Sequence, residues 1–111
     1  MLNVGDTRTF GTLFQQGKGG AVHGDIILKR IFELNAAIFG DGIELLHIGE
    51  VDFLRKVRVG EWLGIAFKLD YIEENSRVGI ILTVSFRAIR ISTKKPVFQG
   101  SYRFRISKSP G

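Results

Sequence analysis

Two short constellations in this chain carry side chains able to do chemistry. The first is His23-Gly24-Asp25, which stands immediately ahead of a run of apolar residues. A carboxylate there accepts hydrogen bonds from the orphan amides of a helix start and suits the positive end of the helix dipole, so Gly24 or Asp25 is expected to cap one. The second is Lys29, Arg30 and Glu33, inside that run. Their spacing of three and four residues lets Glu33 close an ion cluster on one helix face, or leaves it as a carboxylate for acid–base work. His23 can orient the helix mouth, bind a substrate or face solvent. His47, between Leu46 and Ile48, reads as a buried structural histidine. Two histidines and scattered acids give no metal-ligand spacing, so no metal is expected. A Gly-x-Ser-x-Gly elbow is absent, and without cysteine there are no disulfides, thiolate zinc sites or thiol redox chemistry.

Charge is unevenly spread. Residues 1–76 carry 8 basic and 11 acidic side chains, whereas residues 77–111 carry 8 basic ones (Arg77, Arg87, Arg90, Lys94, Lys95, Arg103, Arg105 and Lys108) and no acid. Such a cationic third attracts polyanions: nucleic acid, an anionic membrane surface or the phosphates of a nucleotide-bearing cofactor; its plainer reading is solubility. Nucleic acid is the less attractive partner, since no recognition helix, exposed aromatic platform or zinc motif accompanies the charge. No stretch approaches the roughly 18 apolar residues of a membrane span, and the first ten residues lack the apolar core of a secretory signal. A cytoplasmic setting follows by default. The 111 residues suit one domain, 1–111, with no linker or repeat.

The elements that must position these residues follow from periodicity. Thr7 to Phe14 suits a strand, and Gln15 to Gly20 a glycine-rich loop. From Asp25 to Phe39 only Lys29, Arg30, Glu33 and Asn35 interrupt the apolar residues after Asp25, which predicts a helix buried on most of its circumference and stopped at Gly40-Asp41-Gly42. Ile43 to Phe53 reads as one strand, followed by a polar connection from Arg55 to Gly60. Trp62 to Glu73 alternates strictly, with Leu63, Ile65, Phe67, Leu69 and Tyr71 on one face. Glu74-Asn75-Ser76 turns the chain into a strand from Arg77 to Ile91, and Thr93 to Pro96 turns it into another from Val97 to Ser107. A lone helix this apolar needs a sheet curled around it or a partner covering the remainder.

This order, together with Val22-His23-Gly24-Asp25-Ile26-Ile27-Leu28 at the helix entrance and the stretch from Val51 to Glu61 (VDFLRKVRVGE), resembles the hot-dog fold superfamily. The resemblance implies an α+β fold in which a curved antiparallel sheet of about five strands wraps one long central helix. It further implies acyl-CoA thioesterases and MaoC-type enoyl-acyl hydratases as relatives, and a homodimer or higher homo-oligomer with sites made from both chains. In the thioesterases a His-Gly-Gly motif opens the helix, a backbone amide there polarises the thioester carbonyl, and a carboxylate along the helix activates water. Here the motif is His23-Gly24-Asp25, with an acid in place of the second glycine. The family carboxylate sits nine residues after the histidine, at Phe32 in this sequence, and Glu33 follows it.

The resemblance therefore implies an acyl-CoA or acyl-carrier-protein thioester as substrate. Glu33 or Asp25 would activate water, the amides of Gly24 and Asp25 would hold the oxyanion, and His23 would help orientation. Arg55, Lys56, Arg58, Arg87 and Arg90 would contact the phosphates of coenzyme A, which is part of the substrate; no separate cofactor is expected. The altered motif keeps open a non-catalytic protein that binds acyl thioesters as a sensor or subunit. A MaoC-type hydratase matches in the opening Val4 to Phe10, but the Asn-Pro-x-His-type segment that carries its acid–base pair is replaced here by Gln15 to Val22.

Overall fold

The computed structural model describes residues 3–40, 42–75, 77 and 79–106. The chain runs β1 (Thr7–Thr12), α1 (Gly24–Phe39), β2 (Ile43–Ile48), β3 (Asp52–Phe53), β4 (Leu63–Asn75), β5 (Gly79–Arg90) and β6 (Pro96–Ile106). All strand pairs are antiparallel, in the order β1-β4-β5-β6-β2, and β3 continues along β6 beside β2. Helix formation concentrates polar residues on one stripe. Asp25, Lys29, Glu33 and Ala37 are exposed, while Ile27, Ile31 and Asn35 are buried. Their spacing of four residues is the helical repeat that turns one flank to the sheet. The expected burial of most of the circumference is reached only in part: Ile27, Ile31 and Asn35 are buried and the residues flanking them are partly covered.

The core lies between that flank and one sheet face. Leu63, Ile65, Phe67 and Leu69 of β4, Leu82, Val84, Phe86 and Ala88 of β5, and Phe98, Tyr102 and Phe104 of β6 alternate inward. Phe86 is the aromatic centre, stacked on Tyr102 at 5.1 Å and near Phe67 and Phe98 at 6.3 and 6.1 Å. Phe32 ties α1 to β6 through an edge-on contact with Phe104 at 5.9 Å. Offset and edge-on pairs of this kind add roughly 0.5–1.5 kcal/mol beyond the area they bury.

Several sequence expectations are corrected. The sheet has six strands rather than about five, because Ile43 to Phe53 does not run unbroken. Its chain presses onto β6 at Gly49, whose amide donates to the Ser101 carbonyl at 2.8 Å and where a Cβ would collide with the Ser101 hydroxyl. The helix is short, not long. Its 16 residues span about 24 Å, whereas β4 to β6, of 11 to 13 residues, span on the order of 35–45 Å. A helix rises less than half as far per residue as a strand, so it covers only part of the sheet. Gly40 ends it at a positive φ (95°) that favours glycine, its amide donating to the Ala36 carbonyl at 2.7 Å; Asp41 lies outside the described residues.

Tyr71 does not share the face of Leu69. The ladder slips at Asp70, so Tyr71 pairs with Thr83 and stands 59% exposed, and Ile72 takes the inward place. His47 is exposed, not buried, because it projects from the uncovered face of an edge strand opposite Arg103. Ser76 and Ser107 lie outside the described residues.

Candidate functional site

The approach to α1 is built by a two-residue turn. Gly19 and Gly20 both have positive φ (63° and 78°), and Lys18 and Ala21 exchange backbone hydrogen bonds of 2.9 and 3.2 Å across them. Only glycine takes two such conformations in succession at little cost, which is why this loop needs its glycines. The chain then runs antiparallel to the basic crossover. The Val22 amide donates to the Val57 carbonyl at 2.9 Å, the Val59 amide donates to Gly20 at 2.9 Å, and Ala21 bridges to Arg58.

α1 begins with His23, not Gly24 or Asp25, as its N-cap, in extended conformation (φ −72°, ψ 150°) and with no side-chain capping bond. The His23 carbonyl accepts from Ile26 and Ile27 at 3.1 and 3.2 Å. Among the described residues no backbone partner takes the Gly24 or Asp25 amide. Asp25 instead stands exposed in the first turn, where its charge suits the dipole. Gly24 lies under the Phe53 ring, so closely that a Cβ would sit 3.2 Å from the ring tip. Phe53, about half exposed, forms an apolar ledge beside these amides, and Leu54, equally exposed, follows it in the chain.

The cations divide into three groups. Lys56 and Arg58 are exposed on the crossover beside the entry to the helix, with Arg58 Nε 4.0 Å from a Glu61 carboxylate oxygen. Arg55 and Arg90 are fasteners: the Arg55 guanidinium donates to the Pro96 carbonyl at 2.5 Å, and Arg90 donates to the Lys56 carbonyl at 2.9 Å while pairing with Glu61 at 2.6 Å. Arg87 is not brought to the helix. It projects from the outer face of β5, between Ala66 and Gln99, with the thickness of the sheet intervening. Nor does the cationic third stay unopposed, since Arg90, Arg103 and Arg105 pair with Glu61, Glu73 and Glu44.

Glu33 stands apart. It lies nine residues beyond Gly24, about 13 Å along the axis, with its side chain 55% exposed and its carboxylate 3.6 Å from Arg30 Nε. The chain thus brings together His23, Gly24, Asp25, Lys56 and Arg58, and leaves Glu33 and Arg87 elsewhere. The ledge was missed in the sequence. Two large apolar residues directly before a basic run are its only sequence signal. Among the described residues no three His, Asp or Glu side chains converge as metal ligands, and no helix is long and apolar enough to cross a membrane.

No family model and no curated protein sequence matches the chain. Solved structures do. An R-hydratase of Pseudomonas aeruginosa in unliganded form superposes with a TM-score of 0.76 at 15% identity, over 97% of this chain and 84% of that one. An (R)-hydratase of A. caviae involved in PHA biosynthesis gives 0.77 at 15% identity, over 95% and 97%. An acyl-CoA hydrolase of Staphylococcus aureus, solved with butyryl coenzyme A and coenzyme A, gives 0.74 at 12% identity, over 94% of this chain and 64% of that one. Likeness at these identities speaks to architecture alone. A curved antiparallel sheet holding one helix, superposing on these structures over almost its full length, establishes that this chain has the hot-dog fold.

Proposed function

We propose that this protein binds acyl-CoA or a related acyl thioester at the start of α1 and hydrolyses it. The observation that carries the reading is the pair of Gly24 and Asp25 amides without backbone partners, set between an apolar ledge and exposed cations. A thioester carbonyl fits the amides, whose donors are fixed and backed by the helix dipole, so charge developing on its oxygen is stabilised without reorganisation. The apolar ledge suits the acyl or pantetheine chain, and Lys56 and Arg58 suit the phosphates. The Staphylococcus aureus hydrolase with its bound butyryl coenzyme A supports the ligand class.

In the hydrolytic step a carboxylate takes a proton from water as the water oxygen bonds to the carbonyl carbon. Collapse of the oxyanion breaks the carbon–sulfur bond, and the thiolate leaves with that proton. Asp25 is adjacent to the amides. Glu33 reaches a thioester only across a dimer, in which the exposed stripe of one helix meets the entrance of the other, and His23 orients the mouth.

A second reading, a binder without catalysis, draws on the engagement of Glu33 with Arg30 and on the acid at position 25, whose charge opposes an oxyanion if it turns inward. Hydratase chemistry has two of the structural neighbours behind it, but the segment from Gln15 to Val22 holds no acid. The test is thiol release from a panel of acyl-CoA esters by wild type, Glu33→Gln and Asp25→Asn. Hydrolysis predicts release that falls 100-fold or more, on the order of the 10²–10⁴ that a general base contributes, in one of the two variants. No release, with a melting point raised by a non-hydrolysable acyl-CoA, gives the binder. Neither release nor a shift ends both readings.

A further inference from the structure

We propose a second binding site, on the opposite flank of α1 from Phe53, for a small monocarboxylate with an apolar body. A cleft of about 700 Å³ opens between the end of β1 and the first turns of the helix, walled by Leu13, Gln15, Gln16, Ile26, Arg30 and Trp62. That volume falls in the range of small-molecule pockets. It is a different place from the helix entrance. Gly24 touches β3 at one edge of the sheet, whereas Arg30 reaches β1 at the other.

Arg30 is held as a recognition group would be. Its Nη1 donates to Thr12 Oγ1 at 2.6 Å and to the Leu13 carbonyl at 3.4 Å, and its guanidinium carbon lies 5.0 Å from the centre of the Phe14 ring. Its Nε faces Glu33 at 3.6 Å. Among the described residues Nη2 has no hydrogen-bond or ion-pair partner. A guanidinium fixed this way binds an anion without the cost of ordering a long side chain.

The ligand class follows from charge and shape. Glu33 beside Nε offsets much of the Arg30 charge and no other cation lines the cleft, so the site has too little positive charge to hold a dianionic phosphate but enough free donors on Arg30 for a single carboxylate. Trp62, 56% exposed, lies over Gly11 with its ring 4.0 Å from where a Cβ would stand, and with Ile26 it offers the apolar wall. The exposed amides of Gln15 and Gln16 are further donors at the rim.

The test uses the chain's single tryptophan as its own reporter. Cyclohexanecarboxylate and hexanoate should change Trp62 emission saturably, and cyclohexanecarboxamide, of the same shape without the charge, should bind roughly tenfold more weakly or worse. Arg30→Gln should weaken carboxylate binding by a similar factor, and Arg30→Lys, which keeps the charge but loses the fork, should fall between. The comparison of acid with amide on the wild-type protein stands even if both variants unfold. Equal response to acid and amide, tighter binding of phenyl phosphate than of the carboxylates, or no saturable response overturns the proposal. Glu33 is shared with the hydrolytic reading, but carboxylate binding is read from Trp62 emission and hydrolysis from thiol release, so the failure of one is distinguishable from the failure of the other.

Discussion

Tyr102 shows what a single buried polar group costs this fold. It is 1% exposed, its ring is stacked on Phe86, and its hydroxyl has no hydrogen-bond partner in the described structure. An unsatisfied buried hydroxyl is destabilising by about 1–3 kcal/mol, so Tyr102→Phe should leave the fold intact and raise its stability by about 1 kcal/mol. Burial also pushes the Tyr102 phenol well above its ordinary value near 10. The folded chain then keeps a proton that the unfolded chain releases. The corresponding stability is whole below pH 10 and drains as pH rises above it, by about 1.4 kcal/mol per pH unit. Urea midpoints at about pH 9 and about pH 11 should therefore diverge more in wild type than in Tyr102→Phe. Equal pH slopes would mean that the hydroxyl meets water after all. Asn35, fully buried with its amide donating to Ile31 at 2.9 Å, was equally hidden in the sequence, where it reads as one more polar interruption of a helix.

At the scale of elements, periodicity was a good guide wherever a segment's neighbours simply repeat. The inward run from Leu63 to Leu69 in β4 and the greasy flank of α1 were legible because one period decides each of them. The breaks were not legible. The slip at Asp70 and the gap between β2 and β3 depend on what stands across the ladder: Thr83 and Val84 for the slip, and Ser101, far along the chain, for the gap. The candidate site was legible by its helix entrance and its basic crossover, and the alternation of Arg87 with inward Phe86 and Ala88 already separates it from Arg58, which lies outside any period.

The bare start of α1 bears a prediction at this scale. A serine at an N-cap contributes about 1 kcal/mol through its hydroxyl, which His23 does not supply. His23→Ser should melt higher in calorimetry yet hold a non-hydrolysable acyl-CoA more weakly, since the hydroxyl and the thioester compete for the same amides. A variant that melts higher and binds unchanged would show that the ligand does not use those amides.

For the whole molecule the unpartnered surface matters most. Leu45, Leu46, Ile48, Phe53 and Leu54 are all exposed along β2, β3 and the residue after it, on one margin of the sheet. An open edge lined with large apolar side chains invites a second copy. Light scattering should find a dimer, and Leu46→Asp should shift it to monomer while circular dichroism keeps its shape. A wild-type protein monomeric at high concentration would refute the pairing, and with it a role for Glu33 across the interface.

The opposite margin is of another character. β1 is six residues long, reads Thr-Arg-Thr-Phe-Gly-Thr, and leaves Thr7, Arg8 and Thr9 in water. Short, polar and bearing a cation, it discourages strand addition. A ribbon sticky along one selvedge and guarded along the other would close on itself after one joining. Such a joining would not lengthen into a filament, and greasy side chains could stand in the open without courting fibres.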